Sequence, residues 1–368
     1  MPSKRILLVH LYSNGDCLFA TTIAKQIKAD QPDAYLIWAI GSHCKSIIHN
    51  NPFVDEIIEV PFSVNDDKEK IFYNFLSQAQ KMEADELVDK VIVSQIIGDN
   101  FCNYDSCVRT SIYRCFDKAI TVDKTPVLNL TGDEQDKAKA FVVSNNLATY
   151  KNVILFECAP LSGQIKITNE AINAIATGLV QNRSDTAIVL SSANKININL
   201  PGVFDGSELS IRETAALSHY CTLLLGCSSG ITWATTSTGA KQLPMVQLLN
   251  KDAYIFNPPS IAFEKVGSPT DTIIELFEFD VKKVLSCIEM IFTQDFATAR
   301  LTFHQQAKKQ FRVFRGITHR FLAQKKYGLL KKFIKMNIAV NGYNGAMLLM
   351  ILKGIVFYPV QRLLEKKK

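Results

Sequence analysis

Apolar residues in the first hundred positions come in continuous runs rather than in alternation. "RILLVHLY" (5–12), "AYLIWAIG" (34–41), "DEIIEV" (55–60) and "DKVIVSQI" (89–96) each read as a strand covered on both faces, as in a parallel sheet. Between the first two runs, Leu18, Ala24 and Ile27 fall at helical spacing, and Pro32 marks the stop. A short helix is expected over "SHCKSIIHN" (42–50), ended by Pro52. Strand–helix–strand units of this length predict a doubly wound sheet with right-handed crossovers.

The pattern restarts after the polar stretch "NLTGDEQDKA" (129–138). Strands are expected in "NVILFE" (152–157), "TAIVLSSA" (186–193), "CTLLLGC" (221–227) and "LPMVQLL" (243–249). Helices are expected over "TNEAINAIATGLVQN" (168–182) and "SIRETAALSHYC" (210–221). The chain therefore divides into two α/β domains, residues 1–147 and 148–295, followed by a tail, 296–368. Two such lobes facing one another leave a cleft at the carboxyl ends of both sheets, where open α/β folds bind ligands.

Charge separates the tail from the body. Residues 301–368 hold fifteen Lys and Arg and a single acid, Glu365, which leaves 26 basic against 34 acidic residues in the first 300. In the tail, Phe311, Phe314, Phe321 and Leu322 recur at helical spacing among basic residues. "AMLLMILKGIVFYPV" (346–360) is strongly apolar but shorter than the about 20 residues that a spanning helix needs. An interfacial helix held by apolar burial and attraction to anionic lipid is the reading for 316–368; packing back on the first domain is the other, for residues near 295–315. Nucleic acid is not an expected partner, since base-stacking motifs are missing. The nine cysteines lack metal-ligand spacing, and the amino terminus lacks a signal-peptide pattern, so reduced thiols and a cytoplasmic setting are expected.

Three stretches could carry chemistry. In "LLLGCSSGITWATTSTGAKQLPMVQLL" (223–249), a strand ending in Gly226 gives way to the small residues Cys227, Ser228, Ser229 and Gly230, then a helix opening with Ile231-Thr232-Trp233-Ala234. Backbone amides at a helix start make an anion site, and small residues let a diphosphate approach; an ordinary N-cap reads the same way. In "LSGQIKIT" (161–168), Ser162 and Lys166 follow a strand end, where a lysine could neutralise a phosphate or simply face water. In "SNGDCLFATT" (13–22), Asp16 sits where the first strand hands over to a helix, as a turn residue or as a reactive carboxylate. The first turn has no GxGxxG, the chain has no GxxxxGK[ST], and there is no D-x-D to hold a cation.

Taken together these residues resemble glycosyltransferase family 9, the ADP-heptose:lipopolysaccharide heptosyltransferases. The likeness rests on Gly15-Asp16, Ala20-Thr21, Pro32-Asp33-Ala34 and Asn51-Pro52-Phe53-Val54-Asp55 in the first domain. In the second it rests on "LSIRETAAL" (209–217) and on the turn 226–230 leading into a small-residue helix and Pro244. It covers about residues 5–60 and 150–250. The chain departs from the family on the donor side: Ser228 stands where the family has Asp, and Trp233 where it has His. No acid follows "IVLSS", where Asn194 and Lys195 stand.

The resemblance implies a GT-B fold, two Rossmann-like domains across a cleft, and metal-independent sugar transfer with inversion and without a cofactor. Asp16 would be the general base. Ser162, Lys166, Ser228, Ser229, Gly230 and Thr232 would hold the donor's diphosphate. The implied partners are a nucleotide-sugar donor and a lipid-linked glycan or saccharide acceptor, such as a lipopolysaccharide precursor, with the protein peripheral on the inner face of the cytoplasmic membrane. The alternatives are a non-catalytic nucleotide-sugar or glycan-binding protein on the same scaffold, and a GT-B-fold sugar epimerase.

Overall fold

The structure, a computed structural model, describes residues 4–63, 66–160, 165–181, 183–250, 258–278 and 280–365, with side chains to residue 356. The first unit contains β1 (Arg5–Val9), α1 (Asn14–Asp30), β2 (Tyr35–Gly41), β3 (Glu56–Val60), α2 (Lys68–Ala84), β4 (Lys90–Val93) and α3 (Val108–Arg114). Its parallel sheet has the order β3-β2-β1-β4, with Ile6 of β1 opposite Leu36 and Lys90. The apolar runs are strands because both faces of β1 are covered: Ile6 and Leu8 face one core, Leu7 and Val9 another. The short helix expected at 42–50 is present as a 3-10 helix over residues 42–48.

Helix α1 is buried on nearly every side, including Thr21, Thr22 and Gln26. These polar groups are satisfied by the segment that leaves the first unit. Gln26 Oε1 accepts from the amides of Thr121 and Val122, and Thr21 Oγ1 accepts from the amide of Val127. Burial of polar side chains is tolerable because they are hydrogen-bonded, and the bonds lay the connecting segment along α1.

The second unit contains α4 (Gly132–Ser144), β5 (Asn152–Glu157), α5 (Asn169–Gln181), β6 (Thr186–Ser191), β7 (Val203–Asp205), α6 (Ile211–Leu217), β8 (Leu223–Gly226), α7 (Gly230–Ala234), β9 (Met245–Leu248), α8 (Pro259–Val266), β10 (Ile273–Leu276), α9 (Val281–Thr293) and α10 (Phe296–Phe303). Its sheet, also parallel, has the order β10-β9-β8-β5-β6-β7. Helix α4 is closed by a capping box, Thr131 with Glu134, and Glu134 also receives Arg212 of α6 at 2.5 Å. Helix α4 thus packs against α6 of the second unit ahead of β5. Helix α10 packs beside α9, so the second unit runs past residue 295.

Three more helices follow, α11 (Arg312–Ala323), α12 (Tyr327–Asn341) and α13 (Gly345–Glu365); α11 and α12 return to the first unit, and α13 packs on α11. Phe314 lies edge-on to Tyr104 (6.0 Å between centroids), Phe311 (5.1 Å) and Phe333 (4.9 Å). Arg320 pairs with Glu69 of α2, Lys326 with Asp99, and the Asn337 amide donates to the Tyr104 carbonyl. The phenylalanines at helical spacing therefore meet the first unit rather than a surface outside the protein. The nine cysteines are unpaired; eight are buried and Cys115 is half-buried.

Phe314→Ala removes a fully buried ring from the joint between tail and first unit. The expected loss is about 3–5 kcal/mol of unfolding free energy. Chemical denaturation measures it, and faster proteolysis beyond residue 311 should accompany it.

Candidate functional site

Asp16 is the third residue of α1, at the carboxyl end of β1. The loop before it is held from both neighbouring strands. Gln95 Oε1 accepts from the amides of Leu11 and Tyr12, and the Gly41 amide donates to the Leu11 carbonyl. Ser13 takes φ 72, an uncommon value for a residue other than glycine, and its side chain caps nothing. Asp16 does not act as a cap either, since its carboxylate has no hydrogen-bond partner among the described residues. The residue is partly exposed, but burial of the carboxyl pushes its pKa up to about 7.

The second turn follows β8. Ser228 also takes a left-handed φ, 51°. Its stretch spells Gly226-x-Ser228-x-Gly230, the pattern of a nucleophile elbow. Yet Ser228 is buried and its amide donates to Gln247 Oε1 at 2.8 Å. The left-handed serine of such a turn is present without an exposed hydroxyl.

The anion expected at this turn is already part of the protein. Glu157, the last residue of β5, turns its buried carboxylate into the loop. It accepts from the amides of Cys227 (2.8 Å), Ser229 (3.4 Å), Ile231 (3.0 Å) and Thr232 (3.3 Å), and from Thr232 Oγ1 (2.7 Å). Burial raises its pKa, and these donors oppose the rise. Where the resembled family has Asp in this loop, a carboxylate is again present, supplied from the neighbouring strand. Thr232 and Ser228 are buried behind it; only Ser229 and Gly230 of the expected diphosphate set reach the surface of the turn. Lys166 is exposed just ahead of α5, and Ser162 lies outside the described residues.

The two turns touch. A Cβ on Gly230 would stand 3.6 Å from Asn14 Cβ, and one on Gly15 would stand 3.0 Å from Trp233 Cδ1. Trp233, 3% exposed, crosses from α7 to meet Phe19 of α1 edge-on at 5.0 Å. Behind it the Arg109 guanidinium, also 3% exposed, lies over the rings of Phe19 (4.7 Å), Phe263 (5.8 Å) and Trp233 (5.9 Å). No carboxylate pairs with Arg109 among the described residues; three ring faces and the Lys124 carbonyl hold its charge. Asp16 is thus brought beside the Ser229–Gly230 corner, while no contact joins Lys166 to either.

Sequence reasoning missed Glu157, Arg109 and the place of Trp233. The one available signal was an acid closing the otherwise apolar strand "NVILFE". Two surface concavities of about 440 and 450 Å³ lie elsewhere, lined by Asn51, Pro52 and Asn129 in one and by Leu130, His219 and Tyr220 in the other; neither includes Asp16. Among the described residues no three His, Cys, Asp or Glu side chains converge as metal ligands.

No protein-family profile and no curated protein sequence matches the chain. Solved structures match its fold. A family 9 glycosyl transferase from Veillonella parvula superposes with a TM-score of 0.54 at 15% identity, over 79% of this chain and 88% of that one. ADP-heptose lipopolysaccharide heptosyltransferase II of E. coli gives 0.54 at 14%, over 79% and 99%. An E. coli heptosyltransferase solved with ADP-2-deoxy-2-fluoro heptose gives 0.51 at 11%, over 79% and 99%. The architecture is therefore the two-domain GT-B fold implied by the sequence.

Glu157→Gln replaces an acceptor of five donors with a group that is half donor. It should destabilise the protein by about 1–3 kcal/mol, measured by urea denaturation at neutral pH.

Proposed function

We propose that the chain is a glycosyltransferase that moves a sugar from a nucleotide-diphosphate sugar to an acceptor hydroxyl, with Asp16 as general base. The observation that carries this reading is the Asp16 carboxyl. It has no hydrogen-bond partner among the described residues, lies beside the turn of the facing domain, and has a pKa raised to about 7. A base is most useful when its pKa lies near the working pH.

In the reaction an Asp16 oxygen takes the acceptor hydroxyl's proton as that oxygen attacks the anomeric carbon. The bond from that carbon to the phosphate oxygen breaks, and the nucleoside diphosphate leaves with the electron pair. Attack opposite the leaving group inverts the anomeric centre. Ser229 and Gly230 contact the diphosphate, Ser162 donates a hydroxyl hydrogen bond to it and Lys166 offsets its charge, in place of a metal ion. Glu157, Ser228 and Thr232 set the shape of the turn from behind. The acceptor is a cell-surface glycan precursor of the lipopolysaccharide kind; the support is the fold shared with an E. coli lipopolysaccharide heptosyltransferase.

One observation favours a second reading, a nucleotide-sugar-binding protein without transfer. Ser228 and Trp233, which stand where the resembled family has Asp and His, are both buried, and Trp233 is taken up by the joint with Gly15, so the donor turn lacks the side chains that would serve transfer. Titration with a panel of nucleoside diphosphates and their sugar forms separates the two, because tight binding with no turnover of any sugar form supports the second.

For transfer, Asp16→Asn should lower kcat by about 10²–10⁴-fold while donor affinity stays within about twofold. In the wild type, kcat/KM should rise with pH through about 7, where Asp16 ionises, and level off above it; in Asp16→Asn this limb should vanish. Activity near wild type in the variant would remove the base assignment. Stability supplies a control of known sign. A raised carboxyl pKa stabilises the fold below the unfolded value of about 4, and this contribution is lost as pH rises through about 7. Asp16→Asn should therefore equal or exceed the wild type in thermal stability at pH 8.

A further inference from the structure

The tail's buried aromatics leave one apolar face uncovered. On α13, Met347, Ile351 and Gly354 recur at helical spacing on the side that meets α11. A Cβ at Gly354 would stand 2.7 Å from the Arg315 carbonyl oxygen and 2.7 Å from Thr318 Cβ, so the two helix backbones approach closely there. The other side of α13 presents Leu349 (47% exposed), Leu352 (55%), Ile355 (41%) and Val356 (57%). Leu349, Leu352 and Val356 follow the i, i+3, i+7 rule of a single stripe, with Ile355 at its edge.

We infer that this stripe is a docking surface for an anionic lipid bilayer, with α13 lying in the plane of the membrane interface. Charge selects the occupant. The segment from residue 301 carries a formal +14 against −8 for the first 300 residues, so the stripe belongs to the positive pole of a polarised molecule. Glu69 and Asp99 neutralise Arg320 and Lys326, whereas Lys331 and Lys335, one turn apart on α12, are exposed with no ion pair among the described residues. In the sequence, Arg362 and Lys366–Lys368 follow the stripe. A second copy fits poorly. It would bring two such positive segments together, and four half-exposed side chains offer an area on the order of a few hundred Å², short of the about 800 Å² per partner of a stable dimer.

The geometry also fixes how α13 meets lipid. No helix among the described residues is long and apolar enough to cross a membrane, and the Gly354 contact fastens one side of α13 to protein. The helix therefore offers lipid a side rather than an end. Lys353, half-buried beside the stripe, can extend its amine to the headgroups while its methylenes stay apolar.

The test is flotation of the full chain with vesicles of phosphatidylcholine alone or mixed with phosphatidylglycerol. The expected result is co-flotation with the mixed vesicles only, weakened as salt is raised. The variant Leu349→Ser/Leu352→Ser/Val356→Ser, altered only at exposed positions, should lose about tenfold or more of its vesicle partitioning. Lys331→Glu/Lys335→Glu should weaken partitioning with the stripe intact. Wild-type flotation by the serine variant overturns the inference. So does a concentration-dependent dimer, seen by light scattering, that the serine variant abolishes while neither protein floats. Flotation is read without turnover, so its failure and the failure of sugar transfer are separate results.

Discussion

An indole laid across a glycine holds the two halves of this molecule in register. Trp233 leaves a helix of the second unit and rests on Gly15, one residue from Asp16, while Phe19 and the Arg109 guanidinium close the space around it. Any side chain at position 15 would press on that ring. A guanidinium without a carboxylate is costly to bury unless something offsets its charge, and three aromatic faces from both units do so together. Separating the units would therefore expose an apolar seam and a cation at once. The strand-to-helix turns after β1 and β8, each with a serine in the left-handed region, face one another because of this joint.

Two desolvated carboxylates near the seam, Glu157 inside the protein and Asp16 partly exposed, show how surroundings divide identical chemistry. Glu157 has five donors, so its oxygens are fixed and spent on the shape of the turn. Asp16 has desolvation without donors, so its protonation is balanced near neutrality. One group is held in place and the other is poised, a difference set by hydrogen bonds and not by depth.

The strands were legible because continuous apolar runs have few other uses, and β1 to β6, β8 and β9 fall within the predicted stretches. Asp16 was legible as a choice between turn and base, and what favoured the base was the family resemblance, since turn rules serve both. Glu157 was only faintly legible: an acid closing an apolar strand marks the position, but the partners that give it its task lie 70 to 75 residues away. Arg109 was hidden for a related reason, because its cage draws a ring each from α1, α7 and α8. The tail shows a limit of periodicity itself. Phe314 and Leu352 both lie on apolar helical stripes, but one is inside the protein and the other outside. A stripe states that a face is apolar and does not say what it meets.

The return of the tail to the first unit has a consequence in time. The Tyr104 carbonyl receives its bond from an asparagine 233 residues further on, and Phe314 and Phe333 complete the packing around the same tyrosine. At about 5–20 residues per second, a ribosome makes that stretch in roughly ten to fifty seconds. Throughout that interval the unit made first stands with part of its core open, although the unit made second can already close on itself. The half of the molecule that begins the chain is the last to be finished.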